Sequence, residues 1–109
     1  MANPGDVVTV DFPGTQETKR RPAVVISTDV YHRTRPDVIL GLLTTNLDAT
    51  TMPTDFILQD WKVAGLHSPS AFRAFLVTLP AAGLVHIGHL SERDWRQVQA
   101  RVRRAVELG

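Results

Sequence analysis

At 109 residues, with 43% hydrophobic content and no cysteine, the chain has room for one buried core but not two, and it lacks the means for a disulfide framework, a thiolate zinc site or a cysteine nucleophile. No segment approaches the roughly 18 consecutive apolar residues of a membrane span. The opening Met1-Ala2-Asn3-Pro4-Gly5-Asp6 lacks the basic and apolar regions of a secretory signal, so a single domain over 1–109, no membrane association and a cytoplasmic location are expected.

Asp6 to Phe12 alternates as a strand, with Val8, Val10 and Phe12 on one face and Val7, Thr9 and Asp11 on the other. Pro13-Gly14-Thr15 ends it, and a polar loop from Gln16 to Arg20 leads into Pro22 to Ser27, whose near-continuous apolar run predicts a strand buried on both faces. These two strands are expected to form a hairpin. After the turn-rich stretch Asp29 to Pro36, Val38 to Thr45 gives a third strand and Pro53 to Leu58 a fourth. Asp60 to Leu66 reads as a helical turn stopped by Gly65, Ser70 to Leu79 as a further strand, and Leu84 to Leu90 as a short last one.

At Ser91 the character changes. Ser91-Glu92-Arg93-Asp94 has the form of a capping box opening a helix that runs to about Glu107. Trp95, Val98, Val102 and Val106 recur at spacings of three and four, one apolar stripe to pack on the sheet, which leaves Arg96, Arg101, Arg103 and Arg104 for a solvated face. The pattern is that of one strongly bent antiparallel sheet closed by a C-terminal helix.

The 12 Lys and Arg nearly balance 11 Asp and Glu, so a net charge of +1 carries no general attraction for nucleic acid. The distribution says more: ten of the 12 cations are arginine, grouped at Arg20-Arg21, at Arg33 and Arg35, and from Arg93 to Arg104, and guanidinium suits bidentate phosphate contact. There is no Gly-rich phosphate loop, no Gly-x-Ser-x-Gly and no His-Glu-x-x-His. His86 and His89 stand three apart in a strand-like segment, which directs them to opposite faces and makes them a poor metal pair, so neither a metal nor a cofactor is expected. His32 in a polar loop and His67 in a turn read as surface histidines rather than general bases, and Asp6 as the holder of a turn. Trp61 and Phe72 offer aromatic surfaces on which bases stack in single-strand binders, although core positions suit both better.

Three segments stand out together: Gly5-Asp6-Val7-Val8-Thr9-Val10-Asp11-Phe12, then Arg21-Pro22-Ala23-Val24-Val25-Ile26-Ser27, then Leu42-Leu43-Thr44-Thr45. Their order and spacing resemble the MazF/PemK (Kid-like) family of type II toxins, whose pattern sets a Gly-Asp or Gly-Glu before the first strand, an Arg-Pro at the start of an apolar second strand and a Thr or Ser at the end of the third. The turn from Trp61 to Gly65, the strand from Ser70, the Thr78-Leu79 step and Gly88-His89-Leu90-Ser91 running into a helix follow the same order, so the resemblance covers nearly the full chain. It implies a mainly β, SH3-like plasmid-maintenance barrel with a C-terminal helix, forming a homodimer through its sheet. The implied activity is metal-independent, sequence-selective cutting of single-stranded RNA by attack of the ribose 2′-OH. The implied regulator is a cognate antitoxin with an acidic, partly disordered segment, which together with the toxin also binds DNA.

Position by position, the resemblance puts the family's catalytic arginine at Arg21 and its catalytic hydroxyl at Thr44. Both suit the chemistry, since charge builds on the non-bridging phosphate oxygens as the 2′-OH attacks. A guanidinium holds that charge through two parallel hydrogen bonds, and a hydroxyl donates a third. Because a guanidinium does not readily give up its proton, Arg21 acts mainly by stabilising the transition state rather than as a general base. Arg73 aligns with a substrate-binding arginine, but Phe75 stands where Kid-like relatives carry an acidic residue, so Arg73 either contacts phosphate or is a strand-surface charge. The loop from Thr15 to Arg20 matches the family's connection over the active groove. Its Glu17, Lys19 and Arg20, with Thr45, join Arg73 as substrate-binding candidates; the two cations either steer RNA or are simply solvated.

Two rivals remain at this level. CcdB-type toxins share the fold but poison DNA gyrase by binding, without catalysis. Such a protein would place its binding residues at the end of the helix, where Val106-Glu107-Leu108-Gly109 offers no aromatic anchor. The other rival is a degenerate family member kept for autoregulatory DNA binding with its partner.

Overall fold

The computed structural model describes residues 2–13, 18–50 and 52–108. Its strands are β1 (Asp6–Pro13), β2 (Thr18–Val25), β3 (Asp37–Thr44), β4 (Phe56–Ile57), β5 (Ala71–Pro80) and β6 (Val85–His89), with helices α1 (Asp29–Thr34) and α2 (Glu92–Ala105). The strands form one six-stranded antiparallel sheet in the order β4-β5-β3-β2-β1-β6. The sheet is curled into a half-barrel. The rings of Phe12 on β1 and Phe75 on β5 lie 6.1 Å apart at 58°, although β3 and β2 intervene in the sheet. Only strong curvature toward their shared face brings those strands together.

Alternation of side chains sorts the sheet into two packed faces. On the outer face Val7, Val24, Leu43 and Phe72 form a core with Leu58, Ala64, Leu90 and Val98, and Trp61, Trp95 and Val102 pack against it. The predicted stripe of α2 is therefore the surface that docks there. On the concave face Val8, Val10, Ala23, Val25, Val38 and Leu40 form a second core, bordered by Phe12, Val77, Leu79 and Leu84. Because both faces carry a core, Ala23, Val24 and Val25 are all buried, as their continuous apolar run predicts. Gly41 belongs to this packing: a Cβ there would sit 2.3 Å from Phe72 Cε1, so the ring covers β3 only because that position has no side chain.

Several boundaries differ from the sequence reading. β2 begins at Thr18 rather than Pro22, because Lys19, Arg20 and Arg21 pair with Phe12, Asp11 and Val10. The stretch expected to be turns holds α1, capped by the Thr28 hydroxyl accepting from the Tyr31 N–H at 3.4 Å, and Pro36 follows where a helix cannot continue. β4 shrinks from Pro53–Leu58 to two residues, because Asp55 folds back on Met52 through the bonds Asp55 N–H to Met52 O and Met52 N–H to Asp55 Oδ2. The turn from Asp60 to Leu66 forms as expected and ends at Gly65, whose φ of +87° suits glycine. Arg101 leaves the expected solvated face and lies half-buried, 5.4 Å over the Phe56 ring.

The capping box is half realised. Ser91 caps α2 by accepting from the Asp94 N–H, but the Asp94 carboxylate does not reach back to Ser91. It accepts instead from the backbone N–H groups of Gln59 at 3.0 Å and Asp60 at 2.8 Å. Asp60 in turn accepts from Arg93 Nε and Nη2, both at 2.7 Å, and from the Ser91 hydroxyl at 2.6 Å. Those hydrogen bonds, from Arg93 first and Ser91 second, lower the Asp60 pKa from 3.8 to about 2. A depressed folded-state pKa means that the contribution is complete above the unfolded value and lost as pH falls through the folded one. The Tm advantage of the wild type over Asp60→Asn should therefore be full at pH 5 and shrink on acidification toward about 2. Melting curves of both proteins across that interval check it, and a constant gap would refute it.

Candidate active site

β2 and β3 pair with Ala23 opposite Leu42 and Val25 opposite Leu40. The paired stretch ends at Ala23 and Leu42, and Arg21 and Thr44 lie two residues further out, one on each strand. Alternate residues of a strand point to one face. Arg21 lies two residues from Ala23 and Thr44 four from Leu40, and both of those belong to the concave core. Arg21 and Thr44 therefore share the concave face at one end of the half-barrel. A cleft of about 290 Å³ opens there, lined by Lys19, Arg20, Arg21, Pro22, Leu43, Thr44 and Thr45.

The local bonds prepare these groups for an anion. Thr44 Oγ1 accepts from the Asn46 N–H at 3.1 Å, a short-range turn bond typical of Ser and Thr. That bond occupies a lone pair and leaves the hydroxyl proton to be donated outward. Arg21 is half-buried and makes no ion pair and no side-chain hydrogen bond among the described residues. Among the described residues, the cleft has no carboxylate or imidazole in its lining, and cations with hydroxyl donors favour a phosphate over a divalent metal.

The other candidates separate. Lys19 is exposed and alternates onto the face of Arg21. Arg20 turns the other way: its Nε donates to Thr9 Oγ1 at 3.2 Å and its Nη1 to Asp11 Oδ1 at 3.0 Å, which leaves only its edge on the cleft. Thr45 is exposed at the rim. Glu17 lies outside the described residues. Arg73 is not part of the cleft lining, but it is exposed on β5. There the pairing jumps from Leu43–Phe72 to Gly41–Leu76, so Arg73 and Phe75 rise on the concave side from an irregular stretch opposite Leu42. Trp61 and Phe72 belong to the outer core. Phe75, outside the cleft lining, is 51% exposed on the same concave side; its alternation with Val77 on a half-exposed strand was the signal in the sequence that could have found it.

A larger cavity of about 510 Å³ lies at the opposite end, lined among others by Asn3, Asp6, His32, Arg35, Asp37 and His86. His86 and His89 do not diverge as expected. The β1–β6 register shifts between Val7 and Val8, and that bulge turns both rings to Asp6 Oδ1, at 3.5 Å from His86 Nε2 and 2.9 Å from His89 Nδ1. An ionised carboxylate only accepts, so His89 Nδ1 carries the proton. Burial acts to raise the Asp6 pKa, but the hydrogen bonds from His89 and the Asn3 N–H, with the charge of His86, outweigh it and lower it below 3.8. Asp6 thus holds the N-terminal turn, as the sequence suggests, with two histidines added. His32 is not a free surface ring either, since its Nε2 is bonded to Ser27 Oγ. Among the described residues no group of three or more His, Cys, Asp or Glu is placed to hold a metal, and no helix is long and apolar enough to cross a membrane.

A family model described as PemK-like, MazF-like toxin of type II toxin-antitoxin system matches residues 3–106. No curated protein sequence matches the chain. Solved structures do. A mycobacterial endoribonuclease in complex with its cognate antitoxin superposes with a TM-score of 0.80 at 20% identity, covering 100% of this chain and 98% of that one. MazF in the MazE–MazF crystal structure from Deinococcus radiodurans gives 0.79 at 15% identity, with 99% and 98% covered. The Mycobacterium tuberculosis toxin MazF-mt6 gives 0.74 at 19% identity, with 95% and 98% covered. At these identities the likeness is one of fold.

Proposed function

We propose that this chain, which belongs to the PemK-like, MazF-like toxin family of type II toxin-antitoxin systems, is a cytoplasmic, metal-independent endoribonuclease that cuts single-stranded RNA at preferred sequences. The observation that carries this reading is that Arg21 and Thr44 line one cleft together with Lys19, Arg20 and Thr45.

In the proposed reaction the RNA backbone enters the cleft with the scissile phosphate between the two side chains. The 2′-hydroxyl gives its proton to solvent as its oxygen attacks phosphorus, and the bond to the 5′-oxygen of the next nucleotide breaks as that oxygen takes a proton from water. The products are a 2′,3′-cyclic phosphate and a 5′-hydroxyl. Negative charge grows on the non-bridging oxygens, where the Arg21 guanidinium meets it with two parallel donors. The Thr44 proton, left outward by the bond from Asn46, supplies a third donor. Because these donors are in place before the reaction, little reorganisation is required as the charge develops. Lys19, and Arg73 beyond the cleft, extend the cationic track along the strand. The working unit is a homodimer formed through the sheet, which sets two such sites along one groove. A cognate antitoxin restrains it by laying an acidic segment into that groove and folding as it binds, and the pair together binds DNA. The complexes of the mycobacterial and Deinococcus neighbours with their antitoxins support this partner class.

The test is direct. Purified protein is incubated with mixed single-stranded RNA in EDTA, and the new ends are mapped. Cutting should proceed in EDTA, leave 2′,3′-cyclic phosphate and 5′-hydroxyl ends, and recur at a short sequence. Cutting only on addition of a divalent metal would reject the mechanism, and no cutting under either condition would reject the activity.

A further inference from the structure

The concave side of the sheet carries one exposed aromatic ring that the cutting chemistry does not use. Phe75 is 51% exposed, on the concave side of the sheet, two residues beyond Arg73 on β5. Its ring is braced by Phe12, 6.1 Å away and tilted by 58°. Phe12 in turn is paired with Lys19 across β1 and β2. A half-exposed phenyl ring loses apolar burial that a core position would give it. Arg73 precedes it by two residues on the same face of β5, and Lys19 is the strand partner of the Phe12 that braces it, a cationic setting that disfavours a purely apolar partner.

Resting on the reading of this site as one that cuts RNA, we infer that Phe75, held by Phe12, is the platform on which a base next to the scissile phosphate stacks. Single-strand binders combine a cationic track for the backbone with aromatic faces for the bases, because every base has a π-face and stacking needs no hydrogen-bond match. The contact with Phe12 packs one side of the ring while half of its surface stays exposed, which leaves apolar surface for a base. A base seated there anchors one neighbour of the scissile phosphate while Arg21 and Thr44 take the phosphate itself. Stacking of this kind acts on substrate binding rather than on charge in the transition state, which predicts an effect on KM with kcat retained.

Phe75→Leu and Phe75→Trp separate the roles, since leucine keeps apolar bulk without a planar face and tryptophan enlarges that face. Two measurements are made on wild type and both variants: steady-state cutting of single-stranded RNA, and binding of a fluorescent 2′-O-methyl RNA pool that cannot be cut. Phe75→Leu is expected to raise KM and weaken binding about tenfold with kcat within about twofold, and Phe75→Trp to restore both. If the wild type cuts and Phe75→Leu matches it in KM and in binding, the platform is rejected while the nuclease reading stands. If the wild type neither cuts nor binds, the nuclease reading fails and takes the platform with it. A switch from dimer to monomer in Phe75→Leu by sedimentation would overturn the inference in another way, by assigning the ring to the contact between two copies.

Discussion

Arg21→Ala is expected to lower kcat/KM for cutting single-stranded RNA by about a thousandfold, while the melting temperature stays within about 2 °C of the wild type. The size follows from the kind of group removed: a positioned cationic donor facing charge that develops only in the transition state accounts for roughly this much in acyl and phosphoryl transfer. The small effect on stability follows from the structure, where Arg21 has no ion pair or side-chain hydrogen bond among the described residues to lose. Arg21→Lys keeps the charge but not the two-pronged geometry, and should recover only part of the rate. Thr44→Ala removes one neutral donor and should cost about a hundredfold, with Thr44→Ser close to wild type. Rates on a mapped RNA site, read together with melting curves, check the set. Full activity in both alanine variants would move the active site elsewhere on the fold.

The hairpin of β1 and β2, the third strand and the stripe of α2 could be read from the sequence because each rests on a local period: alternation for strands, spacings of three and four for the helix. The meeting of Arg21 and Thr44 at one cleft needed more, since the arrangement of strands is long-range information, and there the family resemblance supplied the positions. What stayed hidden was set by irregular pairing. Nothing in Val85 to His89 announces the bulge that turns both His86 and His89 onto Asp6. The jump in register along β5 that lifts Arg73 and Phe75 is equally silent. Arg20 and Arg21 look equivalent as a cationic pair, yet alternation commits Arg20 to Asp11 and Thr9 and leaves Arg21 its face of the cleft. Phe72 and Phe75 look alike as aromatics in one strand, and the missing side chain at Gly41 is what takes Phe72 into the outer core.

The largest loss of stability is expected from Asp94→Ala, at about 3 kcal/mol, which for a chain of this size lowers Tm by roughly 15 °C. Asp94 is 0% exposed, and its two oxygens accept from the Gln59 and Asp60 N–H groups at 3.0 and 2.8 Å. A buried carboxylate is costly to desolvate unless its lone pairs are met, so its retention in the first turn of α2 is tied to those two donors. Alanine removes both acceptors and leaves two backbone N–H groups seeking partners. Asp94→Asn keeps one oxygen but presents an amide to the second N–H, donor against donor, so it should recover less than half of the loss. The kcat of the folded variant should remain near wild type, because Arg21 and Thr44 stand on the concave face while Asp94 ties down the outer one. Urea melts would show the change in the midpoint with an unaltered slope. A Tm shift under about 3 °C for Asp94→Ala would mean that Ser91, Arg93 and Asp60 hold the helix to the turn unaided, since that is the size of a single lost surface contact rather than of two orphaned donors.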